Sequence, residues 1–128
     1  MSDKVELEIE LPRAEVASGV ARRALRSVCA DRVETDLLID AELLVSELAT
    51  NALLHGRGNI KLRAAIDEQR VWAAVIDEGA GFDDSLCERS ADQIGGWGLD
   101  LVDVLSSRWG VEDRSAVWFE LERRPHAD

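Results

Sequence analysis

Val5, Leu7, Ile9 and Leu11 alternate with Glu6, Glu8 and Glu10, and this period of two predicts a half-buried strand. Pro12 closes it and suits the first turn of a helix. Over residues 14–29 the period lengthens: Val16, Val20, Ala24 and Val28 recur at helical spacing, with Arg22, Arg23 and Arg26 turned mainly outward. A polar run, 31–36, separates this amphipathic helix from a second one, whose apolar face is marked by Leu37, Ala41, Leu44, Leu48 and Ala52. Gly56 and Gly58, flanking Arg57, stop that helix.

Alternation returns at Ile60, Leu62, Ala64 and Ile66, and the short polar stretch Asp67, Glu68, Gln69 leads into a strand over 70–77. Two strands joined so closely predict an antiparallel hairpin. The second of them is apolar on both faces, which places it centrally in the sheet with helices over one side. A polar loop with glycines, 78–96, is followed by a helix over 98–108 with Leu99, Val102 and Leu105 on one side. Residues 111–113 and the alternating Val117, Phe119 and Leu121 close the chain as strands, before a tail at 123–128 that is expected to fray. The order β-α-α-β-β-α-β predicts an α+β two-layer sandwich, a mixed and mostly antiparallel sheet covered by helices on one face, with residues 1–128 forming a single domain.

Composition narrows the partners. A length of 128 residues, 46% of them hydrophobic, matches one domain with a real core and leaves no room for a separate sensor or receiver domain. No apolar run approaches the roughly 20 residues that span a bilayer, and the acidic, alternating N-terminus does not resemble a signal peptide, so a cytoplasmic protein is expected. Cys29 and Cys87 are too few and too far apart to suggest a disulfide framework or a zinc site, and are read as reduced. A net charge of −11 argues against nucleic acid or an anionic membrane as the main ligand, while permitting a basic protein partner.

Three polar clusters are left over once the core is assigned. The first is Glu47 and Asn51, four residues apart near the end of the second helix. At ~100° per residue they project within roughly 40° of each other, at the lip of the buried face. The second is Asp77-Glu78-Gly79-Ala80-Gly81, an acid at the end of a buried strand followed by two glycines. A carboxylate held there can accept from an exocyclic amine, and Gly79 and Gly81 allow close approach of a flat ligand such as adenine. The third is Gly95-Gly96-Trp97-Gly98-Leu99, where amides leading into a helix face a phosphate at the positive end of its dipole. It is neither a Walker loop nor a dinucleotide fingerprint. In this scheme Asn51 supplies an oxygen to Mg2+, and Glu47 is general base toward an attacking hydroxyl or water.

Taken in order and at this spacing, the three clusters resemble the asparagine box and the two glycine boxes of the GHKL family of ATPases and kinases, which share the Bergerat nucleotide-binding fold. The subgroup most similar is the single-domain anti-sigma-factor serine/threonine kinases, and the likeness runs from about residue 11 to residue 121. It also takes in Arg108-Trp109-Gly110 and Val117-Trp118-Phe119-Glu120. The resemblance implies ATP and Mg2+ as cofactors, with Asn51 as magnesium ligand, Glu47 as catalytic base and Asp77 as the acid that reads adenine. Gly79 and Gly81 then shape the base pocket, and Gly95, Gly96 and Gly98 form the lid hinge and phosphate contacts, beside Trp97 and Leu99. It further implies a sigma factor as partner and a small anti-anti-sigma (STAS-type) antagonist as phosphoacceptor. A homodimer through the sheet side or first helix is favoured. One departure is visible: relatives commonly carry Gly-x-Thr before the last strand, and this chain reads Arg114-Ser115-Ala116. With Ala116 at the threonine position one hydrogen bond to the adenine site is missing, on the order of 1 kcal/mol, unless Ser115 compensates.

Taken alone, each feature has a plainer reading. Glu47 and Asn51 would form a solvated helix pair, Asp77 would cap a turn, and His55 would finish the helix. Trp72, Trp109 and Trp118 would be core or sheet-surface aromatics, and the three arginines of the first helix a solvated face. Two functional classes therefore compete: a Mg-ATP-dependent serine/threonine protein kinase acting as an anti-sigma factor, and a degenerate, non-catalytic regulator-binding module of the same fold. A detached ATPase ranks third, because no transducer segment is visible.

Overall fold

A computed structural model describes residues 4–30, 32–78, 99–112 and 115–123. Five strands, β1 (Val5–Leu11), β2 (Ile60–Ile66), β3 (Arg70–Ile76), β4 (Arg108–Glu112) and β5 (Ala116–Glu122), form one sheet in the order β1-β2-β3-β5-β4. All four ladders are antiparallel, so the parallel pairing that a mixed sheet would allow is not used among the described strands. Helices α1 (Ala17–Cys29), α2 (Thr35–His55) and α3 (Leu99–Leu105) pack on one face, giving the expected α+β two-layer arrangement.

Period-two alternation decides which side chains meet the helices. Ile60, Leu62, Ala64 and Ile66 of β2, Val71, Ala73 and Val75 of β3, and Val117, Phe119 and Leu121 of β5 are buried together. Central β3 is doubly apolar, as its sequence predicts. The opposite face is open to solvent and carries ion pairs instead: Glu8 with Lys61 at 3.4 Å and Arg63 at 3.5 Å, and buried Glu120 with Arg70 at 3.3 Å and Arg108 at 3.8 Å.

Helix α1 departs from the expected pattern by one residue. Its buried row is Ala17, Ala21, Leu25 and Cys29, while Val16 lies before the helix and is 59% exposed. Val20, Ala24 and Val28 are half-buried beside that row. Small Ala17 and Ala21 let α1 lie close to its neighbours, where a row of valines would hold it off. Pro12 falls in the β1–α1 connection rather than in the first helical turn. Arg26 and Glu42 join α1 to α2 through two hydrogen bonds of 3.0 and 2.6 Å, and the guanidinium holds the Glu42 carboxyl below its ordinary pKa. Burial pushes the Cys29 thiol up to about 11, consistent with a reduced, unreactive core cysteine.

Candidate nucleotide site at the end of the second helix

Helix α2 lies across β3 and also touches α1, α3, β2 and β5. Leu44, Val45, Leu48, Ala49 and Ala52 anchor it in the core. Asn51 is carried on the edge of that buried face and is itself 6% exposed. Its Nδ2 is buried and has no hydrogen-bond partner among the described residues. An amide donor left so costs on the order of 1–3 kcal/mol, which a ligand with acceptor oxygens would recover. Glu47, one turn earlier, is half-buried.

Asp77 follows directly after β3 and is 7% exposed. Its amide donates to the Ser115 carbonyl at 2.8 Å, extending the β3–β5 pairing one step past Ile76 and Ala116. That register bears on the threonine-like position. Val117, Phe119 and Leu121 face the helices and half-buried Ala116 pairs with Ile76, while Ser115, half-buried in the turn before β5, presents its carbonyl to the Asp77 amide. A hydroxyl-bearing residue, Ser115, therefore neighbours Asp77 across the ladder, and Ala116 pairs one step further along β5.

The turn between α2 and β2 closes the other side of Asp77. A Cβ on Gly56 would lie 2.3 Å from Asp77 Oδ2 and 2.7 Å from the Ala52 carbonyl oxygen, so the bare glycine is what lets the carboxylate sit against the helix end. Gly58 adopts φ +70, and a Cβ there would meet Glu78 Cβ at 2.8 Å. The Glu78 amide donates to the Arg57 carbonyl at 2.9 Å, and Glu78 Oε2 accepts from the Asn59 amide at 3.0 Å. Arg13, from the β1–α1 connection, donates to the carbonyls of Ala52 at 3.0 Å, Leu53 at 2.9 Å and Gly58 at 2.7 Å. Burial holds the His55 imidazole below its ordinary pKa at this helix end.

The structure thus brings Asn51 and Asp77 to the same end of the α2–β3 layer, joined by the turn 56–58. Leu99 starts α3 with its side chain in the core, 2% exposed, which restricts any ligand contact to its backbone. Gly79, Gly81, Gly95, Gly96, Trp97 and Gly98 lie outside the described residues. Reading the sequence alone treats Gly56 only as a helix stop and gives Arg13 no role. The close approach of Gly56 and Asp77 depends on tertiary packing that no local pattern encodes. Among the described residues no group of three or more His, Cys, Asp or Glu side chains converges to cage a metal. No described helix is long and apolar enough to cross a membrane.

Comparison with known proteins identifies the family. Residues 11–118 match the model of the histidine kinase-like ATPase domain. The chain is 29% identical to the serine-protein kinase RsbW of Bacillus velezensis, over 91% of its own length and 84% of that protein. It is equally 29% identical to the RsbW of Bacillus subtilis, over 87% and 80%. The anti-sigma F factor of Clostridium beijerinckii is 34% identical over 65% of this chain and 62% of its own. A buried asparagine on α2, an acid at the end of β3, a helix-covered antiparallel sheet and a family match over most of the length converge: the chain belongs to the histidine kinase-like ATPases, the GHKL family, whose domain implies ATP binding.

Proposed function

We propose that this protein is a Mg-ATP-dependent serine/threonine protein kinase that acts as an anti-sigma factor and phosphorylates an anti-anti-sigma (STAS-type) antagonist. The observation that carries the nucleotide half of this reading is the unsatisfied buried carboxamide of Asn51, one helical turn from half-buried Glu47. Relatives named serine-protein kinase and anti-sigma F factor support the protein-directed half.

Mg-ATP, when bound, supplies the phosphoryl group. Asn51 offers its Oδ1 to the metal and its Nδ2 to phosphate oxygens. Asp77 accepts from the adenine amine, with Ser115 alongside it to support that contact, and the 79–81 and 95–98 glycine segments complete the base and phosphate contacts. Glu47 takes the proton from the serine or threonine hydroxyl as its oxygen bonds to the γ-phosphorus and ADP departs. The test is incubation with γ-labelled ATP and candidate antagonists. A labelled serine or threonine is expected, and Asn51→Ala should abolish the label. Normal ATP binding without labelling of any antagonist would leave the non-catalytic module instead. That second reading draws on Ala116 and on the acidic residues between the two glycine boxes.

A further inference from the structure

Arg13 lies in the β1–α1 connection, and it donates three hydrogen bonds to backbone at the end of α2 and in the turn that follows it, beside Asn51 and Asp77. The Ala52 and Leu53 carbonyls belong to the last turn of α2, where a cation suits the negative end of the dipole; the Ala52 carbonyl also accepts from the Gly56 amide at 2.9 Å, so Arg13 adds a second donor there. Ala52 follows Asn51 directly. A simple helix cap would need only these two. The shortest of the three bonds, 2.7 Å, goes beyond the helix to Gly58, in the turn that lies against Asp77 and Glu78. On its other side the turn is held by Glu78, through the Arg57 carbonyl and the Asn59 amide, so Arg13 completes its attachment from the α2 side. A guanidinium, planar and with donors at fixed angles, can fasten it where a flexible ammonium cannot.

We propose that Arg13 is a positioning residue for nucleotide recognition: by clamping the 56–58 turn to the end of α2, it sets the spacing between the Asn51 end and the Asp77 end of the pocket. This rests on the nucleotide reading above. Because the clamp bears on Gly56, which abuts the Asp77 carboxylate, its loss acts most on the adenine end.

The experiment compares the full chain with Arg13→Ala and Arg13→Lys, measuring thermal midpoints without ligand and dissociation constants for Mg-ATP and Mg-ITP by titration. Inosine lacks the exocyclic amine that Asp77 accepts from. In Arg13→Ala the ATP constant should rise by about tenfold, the worth of a charged hydrogen bond lost behind the acid. The ITP constant should rise less, so that the preference for adenine shrinks. Arg13→Lys, able to reach one carbonyl but not all three, should restore part of the preference, and it keeps the comparison available if the alanine variant folds poorly. Variants that melt earlier but keep the wild-type ATP-to-ITP ratio would show a merely structural cap and overturn the proposal. A wild-type protein that binds neither nucleotide, or both alike, would instead remove the adenine reading and Arg13's role with it.

Discussion

Gly56 and Asp77 are in mutual dependence: the carboxylate Oδ2 occupies space 2.3 Å from where a Gly56 side chain would begin. Neither the Asp77 oxygen nor the Ala52 carbonyl, 2.7 Å from the same point, can give way without moving the acid or the helix end. Gly56→Ala should therefore destabilise the protein by about 1–3 kcal/mol, the usual cost of forcing an atom into a filled site. It should also weaken Mg-ATP binding more than Mg-GTP binding. Denaturant unfolding and nucleotide titration on one preparation check both. Full binding with an unshifted midpoint would show that the acid's seat is not tight.

Asn51 and Glu47 should separate binding from transfer. Asn51→Ala removes the proposed metal oxygen and the buried donor together, so nucleotide-induced thermal stabilisation should vanish. Glu47→Gln keeps size and polarity and should leave nucleotide affinity within about threefold while lowering phosphoryl transfer by 100-fold or more, roughly the scale of a general base. Equal losses of binding in both variants would contradict this division.

Ser115 and Ala116 give opposite expectations. Ser115→Ala should raise the Mg-ATP dissociation constant by roughly fivefold, one neutral hydrogen bond. Ala116→Thr, paired with Ile76 one step further along β5, should leave it unchanged. A gain in affinity from Ala116→Thr would restore the expectation drawn from the sequence and show that the last rung of the ladder is shifted by one.

His55 and Glu42 make stability depend on pH in separate windows. Burial depresses the His55 pKa, so the unfolded chain takes up the proton first as pH falls. Stability is complete above the unfolded value of about 6.5 and declines as pH drops from there toward the lower folded value. Glu42, held down by its hydrogen bonds to Arg26, behaves likewise at lower pH: its contribution is present above about 4.5 and is lost below. In His55→Gln, urea midpoints at pH 7.5 and 5.5 should differ less than in the wild type, whereas Glu42→Gln should flatten only the fall below pH 5. A His55→Gln profile identical to wild type between pH 7.5 and 5.5 would count against the first assignment.

Much of this architecture is legible without coordinates, and the parts that are not have identifiable reasons. The β2–β3 hairpin emerges at the expected residues because alternation, an Asp-led turn and a doubly apolar second strand all agree. In α1 the burial row is misjudged because valine outranks alanine in hydrophobicity, whereas the row that packs against α2 and the sheet includes the small residues Ala17 and Ala21. Strand β4 begins at Arg108 rather than 111, because its start is dictated by pairing with β5, where Arg108 stands opposite Glu120, and not by a pattern of its own. Asn51 and Asp77 are identifiable as polar residues at buried positions. Gly56 and Arg13 are not, since one matters for the atom it lacks and the other for carbonyls some forty residues away.

The bond from the Asp77 amide to the Ser115 carbonyl belongs to the sheet and to the pocket at once. On the proposed reading, fraying at that end of β3 and β5 is coupled to release of the base, so nucleotide should slow hydrogen exchange at the Asp77 amide far more than at Ala73, in the middle of the same ladder. A single backbone proton becomes a gauge of occupancy, readable without any phosphoacceptor in the tube.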